Sequence, residues 1–250
     1  MSTSHPTLRV ATWNIHKGVR GLGPNRRLEI HDMVHAVEQF DADIVCLQEV
    51  RRVNHKEAGY FSRWPDLPQA DYLAPEGYEA VYRTNAHTRH GEHGNALLSR
   101  WPVINHQHED MSDHRFEQRG LLHSEVLVHG ASVHVIVVHL GLIAASRTRQ
   151  LAQLSKFIER EIPKKATLMV AGDFNSPVAP VKWAQEAMKT RAHSKLPAPE
   201  RTPTFPSRLP LVQLDHVFAR HAQPTASHVP RGAVWSRMSD HLPLIVDFAL

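Results

Sequence analysis

The sequence predicts an α/β fold arranged as a sandwich, with two β-sheets packed together and helices outside. Three observations predict it. Apolar runs of strand length recur along the chain, two longer stretches repeat with helical periodicity, and several strand runs follow one another with only short polar turns between them.

The chain of 250 residues is 42% hydrophobic and 22% charged. That is ordinary for a soluble globular protein with one large core, so a single domain spanning 1–250 is expected. The formal net charge is +4; this permits an anionic substrate, and arginine's planar fork suits phosphate, but neither proves nucleic-acid binding. The single cysteine, Cys46, lies in an apolar run and reads as a buried core residue, so no disulfide framework exists. There is no apolar run of 18 residues, and the first residues lack a basic-then-apolar signal pattern. The expectation is therefore a cytoplasmic protein without stable membrane insertion.

Taken in order, Leu8–Trp13 reads as a first strand ending at Asn14. Ile30, Met33, Val34, Val37 and Phe40 then recur with the spacing of an amphipathic helix. Asp43–Leu47 reads as a buried strand ending in Gln48 and Glu49, which completes a strand–helix–strand crossover. Residues 51–76 are polar and interrupted by Pro65, Pro68 and Pro75, and read as an irregular loop or short helix. Tyr78–Arg83 and Asn95–Ser99 are expected as neighbouring strands around a His/Gly-rich tip. Gly120–Val128 and Ser132–Leu140 follow as a hairpin turning at His129-Gly130. Ser146–Ile162 reads as a second amphipathic helix, Ala166–Ala171 as a strand and Trp183–Met188 as a short helix. The proline-rich stretch from Lys195 to Pro210 reads as an ordered loop or lid, and Leu211–Ala219 and Leu242–Leu250 as the last strands.

Polar groups recur where these strands end: Asn14, Glu49, His139, Asp173 with Asn175, and Asp240 with His241, while Asp215 lies within V-Q-L-D-H-V-F. One such residue is easily a turn former; six recurring positions are hard to explain that way. Asp173 and Asn175, two apart, would share a side of an extended chain. Glu49 offers the hard oxygen that Mg²⁺ prefers, and His139 and His241 are the imidazoles best placed to act near a phosphate. The other histidines of the twenty are scattered and show no zinc-site spacing; His31, His35, His87 and His221 read as solvated.

The motifs T-W-N-I-H, L-Q-E-V, G-N-A-L-L-S, V-H-L-G, A-G-D-F-N, L-D-H-V-F and S-D-H-L-P together resemble the endonuclease/exonuclease/phosphatase superfamily, and they span residues 12–243 in the family's order. The resemblance implies a four-layer αββα sandwich and a phosphoesterase dependent on Mg²⁺ or Mn²⁺. It implies that Glu49 is the principal metal ligand with Asn14 and Asp240 nearby, and that Asp173 positions or deprotonates the attacking water. By the same resemblance Asn175 holds water or a phosphate oxygen, His241 contacts the scissile phosphate with Asp215 orienting it, and His139 donates to a non-bridging oxygen. Arg119 and Asn95 are weaker substrate-binding candidates; a salt bridge and a strand entry are their alternative readings. His16 departs from the apurinic-endonuclease pattern, which has an acidic residue there, and this weakens a second metal site.

The substrate class stays open at this level. Arg51, Arg52, Arg83, Arg89, Arg100, Arg115 and Arg119, with Trp64, Trp101 and Tyr82, are candidates for a nucleic-acid groove. The stretch Tyr60–Leu73 is a candidate membrane contact for a phospholipid head-group phosphodiesterase. An inactive phosphate-binding module is the non-enzyme alternative.

Overall fold

Alternation along the first strand decides what its two faces meet. In the computed structural model, which describes residues 6–21, 23–188 and 202–250, β1 (Thr7–Asn14) turns Leu8 and Val10 to one cluster and Ala11 and Trp13 to another, all fully buried. A strand apolar on both faces needs a layer on each side.

After β1 come a short ribbon of β2 (Val19–Arg20) and β3 (Arg27–Leu28), helix α1 (Ile30–Gln39) and strand β4 (Ile44–Val50). Two short helices, α2 (His55–Tyr60) and α3 (Gln69–Leu73), precede β5 (Glu79–Thr88), β6 (Gly91–Ser99) and β7 (Val103–Asp110). The hairpin β8 (Gly120–Val128) and β9 (Ala131–His139) leads through α4 (Ala144–Glu161) to β10 (Thr167–Asp173) and α5 (Ala179–Ala187). The chain closes with β11 (Asp215–Arg220), β12 (Gln223–His228), α6 (Trp235–Met238) and β13 (Leu244–Ala249). One sheet has the order β12-β13-β1-β4-β6-β5 and the other β11-β10-β9-β8-β7. Each contains one parallel pair, β1 with β4 and β9 with β10, and those are the pairs joined through α1 and α4.

The apolar residues divide into three clusters that define four layers. Leu8, Val10, Ile44 and Phe248 of the first sheet meet Leu122, Val135, Val137 and Met169 of the second in the middle. Trp13, Val45 and Leu98 pack outward against Met33, Val37 and Phe40 of the α1 segment. Ile136, Val138 and Val170 pack outward against Leu154, Phe157 and Ile158 of α4. The mixed α/β sandwich expected from the sequence is the observed architecture, and Cys46 is fully buried in the central layer.

Several details differ from the sequence reading. Strands β7 and β12 were not anticipated, because they are edge strands. Six consecutive exposed residues form β12, and β7 is polar on both faces, so neither shows an apolar run. The His/Gly-rich tip is mostly strand: β5 and β6 extend to Thr88 and from Gly91. Leu211–Leu214 is not part of β11; Val212 folds back to accept hydrogen bonds from the Thr204 and Phe205 backbones. Of the proline-rich stretch, 195–201 lies outside the described residues, while Thr204 and Ser207 are buried and tied to Leu242 and Asp240. No helix among the described residues is long and apolar enough to cross a membrane.

Besides His139 and His241, three histidines are buried among the described residues: His123, His134 and His216. His123 and His134 share a hydrogen bond of 3.0 Å beneath Phe157. Burial, and then the neighbouring His134, push His123 down to about 4; burial likewise lowers His134, and His216 to about 4. The unfolded chain therefore takes up protons from about pH 6.5 downward while the folded chain resists them until about pH 4. Stability is expected to fall across that window as the solution is acidified. His123→Leu should flatten the fall in urea denaturation followed at a series of pH values; an unchanged pH slope in this variant counts against the assignment.

Candidate active site

The register of three strands assembles half of the site. Asp173, the last residue of β10, pairs with His139 of β9 on one side and with Asp215 of β11 on the other. Period-two alternation sends Asp173 inward on the same face as Met169 and Ala171. The preceding Gly172 is required by close approach: at φ 148°, a Cβ there would stand 1.9 Å from the Val138 carbonyl oxygen. Beyond Asp173 the chain does not continue extended, contrary to the expectation from the two-residue spacing. Asn175 has φ 50° and its backbone N–H donates to Asp173 Oδ1 at 2.9 Å, closing an Asx-type turn. Its side-chain amide is thereby carried to the Leu140 carbonyl, to which it donates at 2.8 Å.

The other half comes from the first sheet. Asn14 ends β1 beside Gln48, and the pairing of β4 with β6 slips between Leu47 and Val50. Glu49 sits in that irregularity with φ 58°, which releases its side chain from strict alternation. His16 and Lys17 follow with φ 45° and 64°. Lys17 Nζ lies 2.6 Å from Glu49 Oε2, and His16 Nδ1 lies 3.4 Å from Asp240 Oδ1 and 4.0 Å from Glu49 Oε2. The segment 239–241 is fastened to β1, where Ser239 Oγ donates to the Asn14 carbonyl at 2.6 Å and Trp13 Nε1 donates to the His241 carbonyl at 3.0 Å.

Two contacts join the halves. Asn14 Nδ2 donates to Asp173 Oδ2 at 3.1 Å, and His241 Nδ1 lies 2.8 Å from Asp215 Oδ2. His139 Nε2 and His241 Nε2 each stand 3.6 Å from Asp173 Oδ2. Asp173, Asp215, His139 and His241 are all buried. The structure thus brings together Asn14, Glu49, His139, Asp173, Asn175, Asp215, Asp240 and His241.

Electrostatics separate the two imidazoles. Burial alone would lower His241, but Asp215, by charge and hydrogen bond, and then Asp173 and Asp240 raise it to about 10. His139 has no such partner; burial, with Arg119 in support, lowers it to about 4 against Asp173 and Glu49. At neutral pH one ring is cationic and the other neutral. Burial raises the Asp173 carboxyl, with Asp215 adding to it against His241 and His139. Glu49 is held well below the usual carboxylate range, because Lys17, His139 and His16 overcome its burial.

Arg119 and Asn95 take structural positions. Arg119 donates to the carbonyls of Leu140 and Gln118 and pairs with Glu117 at 3.2 Å; it is a mostly buried pair, not a surface one. Asn95 is fully buried inside β6 and its amide donates to Gly120 and Val137 across the central layer, so only Oδ1 is without a partner. Lys17 and His93 escaped the sequence reading. His93 lies among Glu49, Lys17, Arg119 and Arg51, and burial lowers it to about 4. Lys17 was visible only as the residue after the departing His16.

Oxygen and nitrogen donors suited to a cation lie in two sets. Atoms of Asp173, Asp215 and His241 fall within 4.8 Å of one another, but His241 Nδ1 and Asp215 Oδ2 are already engaged with each other at 2.8 Å. Glu49 and Asp240 converge instead on the cationic or polar groups of Lys17 and His16. That set of hard oxygens, with the Asn14 amide adjacent, fits a divalent ion better.

The family model for the endonuclease/exonuclease/phosphatase family matches residues 11–241. The chain belongs to that family. It is 35% identical over 263 aligned positions to the uncharacterized protein YbhP of Escherichia coli (strain K12), covering 99% of this chain and 98% of that one. The crystal structure of D. rerio TDP2 complexed with a single-strand DNA product superposes with a TM-score of 0.67 at 18% identity, covering 98% and 99% of the two chains. A Bacteroides thetaiotaomicron mannosyl-6-phosphatase superposes with a TM-score of 0.71 at 16% identity, covering 97% and 100%. Identities this low establish the shared fold; the family gives the chain a phosphoester-hydrolase fold.

The Asp215–His241 bond yields a direct expectation. In Asp215→Asn, burial outweighs the remaining acidic neighbours, and the His241 imidazole should titrate several units below its wild-type value, at or under the ordinary histidine range of about 6.5. Side-chain NMR titration of His241 reads this. An unchanged midpoint would mean that Asp215 does not set the charge of the ring.

Proposed function

We propose that this protein is a divalent-metal-dependent phosphodiesterase that hydrolyses its substrate by attack of water. The observation that carries the reading is the row His139–Asp173–Asp215 facing a cationic His241, with the carboxylates of Glu49 and Asp240 converging beside it. Glu49 and Asp240, with the Asn14 amide oxygen, would hold Mg²⁺ or Mn²⁺. When bound, the ion supplies Lewis-acid neutralisation of charge on the phosphoryl oxygens.

The chain's own groups supply the remainder. Asp173 is the acceptor best placed for the proton of the attacking water, with the Asx turn fixing its Oδ1 and Asn14 fixing its Oδ2. A carboxylate raised by burial is a better base than a solvated one. His241 is protonated on both nitrogens: Nδ1–H donates to Asp215 at 2.8 Å, which favours the cation, and Nε2–H faces Asp173 at 3.6 Å. From there it donates to a phosphoryl oxygen or protonates the departing alkoxide. His139, neutral and buried, is a fixed donor to a non-bridging oxygen, and such preorganised donors need no reorganisation during the reaction. The Asn175 amide, anchored on Leu140, lies next to the same water position. The balance is one water consumed, one P–O bond formed to its oxygen and one broken to the alkoxide, the proton taken by Asp173 matched by the one His241 gives, and a phosphomonoester and an alcohol released.

Hydrolysis of an aryl phosphodiester with added Mg²⁺ or Mn²⁺ tests the reading. EDTA should abolish turnover. Glu49→Ala and His241→Ala should each lower kcat by at least about 10²-fold, the scale of losing one preorganised donor. Turnover that persists unchanged in EDTA, or in both variants, contradicts it.

A further inference from the structure

The loops beside the row of catalytic groups also expose large apolar side chains. The β7–β8 loop, leading to Gly120, presents Phe116 at 82% exposure. The β9–α4 loop, directly after His139, presents Leu142 at 70% and Ile143 beside it. The β10–α5 loop after Asp173 presents Val178, and the segment before Asp215 presents Leu209 and Leu211, the latter 68% exposed. These loops are interlocked. Leu142 N–H donates to Glu117 Oε1 at 2.9 Å, Asn175 Nδ2 donates to the Leu140 carbonyl, and Phe174 N–H donates to the Leu214 carbonyl at 2.9 Å. These tethers gather the loops into a rim beside the site, and exposed apolar residues grouped beside a site mark a contact surface where scattered single residues do not.

Charge narrows the occupant. The same rim carries Arg115, Arg147, Lys182 and Arg208, none of which has an ion pair among the described residues, although Arg147 donates to the Gly141 and Leu142 carbonyls. Two of its carboxylates are paired internally, Asp113 with Arg149 and Glu117 with Arg119. Arg115 lies over the Phe116 ring at 4.7 Å, an apolar surface with a cation on top. Cations without a carboxylate partner, interleaved with apolar side chains, complement an anionic membrane interface. A nucleic-acid strand asks instead for aromatic stacking platforms, and five of the six rim residues are aliphatic. In the aromatic group Tyr60–Phe61–Trp64, Phe61 is taken up by Tyr60 edge-on and Trp64 stacked, Arg26 and Arg51 lie over the rings, and Ala70 and Leu73 of the same stretch are buried.

We infer that this rim docks the mouth of the site on an anionic phospholipid bilayer, so that the phosphoester it receives is carried by a lipid. The lipid-borne substrate rests on the phosphodiesterase reading; the docking itself does not. Flotation of the full chain with phosphatidylcholine vesicles, without or with roughly 30% phosphatidylglycerol, tests it. Wild type and His241→Ala should both float with the anionic vesicles, at least about tenfold better than with the neutral ones. Leu142→Asp combined with Leu211→Asp should lose at least about tenfold of that binding, with thermal melting and aryl phosphodiester turnover unchanged. Failure of the wild type to float with anionic vesicles, or flotation of the double variant like wild type, overturns the proposal. So does a rim that holds a fluorescent single-stranded oligonucleotide but no vesicle, with the oligonucleotide released by the same substitutions. Vesicle binding by a protein that hydrolyses no phosphodiester would leave the docking intact and remove the catalytic reading, so the two failures are distinguishable.

Discussion

The carboxylate of Asp173 is the point on which the site depends. It ends the one strand whose neighbours both bring a catalytic candidate to the same row, His139 through parallel pairing and Asp215 through antiparallel pairing. From the inner face it also reaches the first sheet through Asn14. A one-residue slip of β10 would turn Asp173 to the outer face and separate all four groups. The apolar alternation that buries Met169 and Ala171 therefore also specifies the active geometry, and Gly172 permits the strands to approach closely enough to keep it.

Holding these groups inside the protein has an electrostatic cost that the arrangement distributes. Asp215 is buried with one oxygen on His241 and the other without a partner, and a buried carboxylate is tolerated when a cation neutralises it. That is the physical reason why His241, 2.8 Å from the buried Asp215 carboxylate, is raised to about 10, while His139, which approaches only Asp173 at 3.6 Å, is lowered to about 4. Glu49 is treated in the same way by Lys17 and His16. A divalent ion would serve these acids as Lys17 and His16 do in its absence, with more charge and with oxygen-coordinating geometry.

Much of this was legible in the sequence because strand-end polar residues stand out against apolar runs. Asn14, Glu49, His139 and Asp173 stand at the ends of such runs, Asp240 and His241 border one, and Asp215 lies within one; the side that each faces was not legible from period two, which fails at Asn175. What sequence could not supply were features without a periodic signature. The edge strands β7 and β12 lack an apolar face. The Asx turn at Asn175 and the left-handed backbone at His16, Lys17 and Glu49 break the alternation on which the reading relied. Asn95 and Arg119 are polar residues whose hydrogen bonds go to backbone carbonyls of strands distant in sequence. Buried His123 and His134 look like any other scattered histidines until α4 is placed over them.

The claim that a cation belongs with Glu49 and Asp240, between the two sheets, can be tested directly by the paramagnetic broadening of histidine ring signals on titration with Mn²⁺. The account predicts that His16, His139 and His241 broaden first, that His123 and His134 stay sharp, and that Glu49→Ala removes the effect. Broadening centred on the His123–His134 pair, or surviving unchanged in Glu49→Ala, would contradict it.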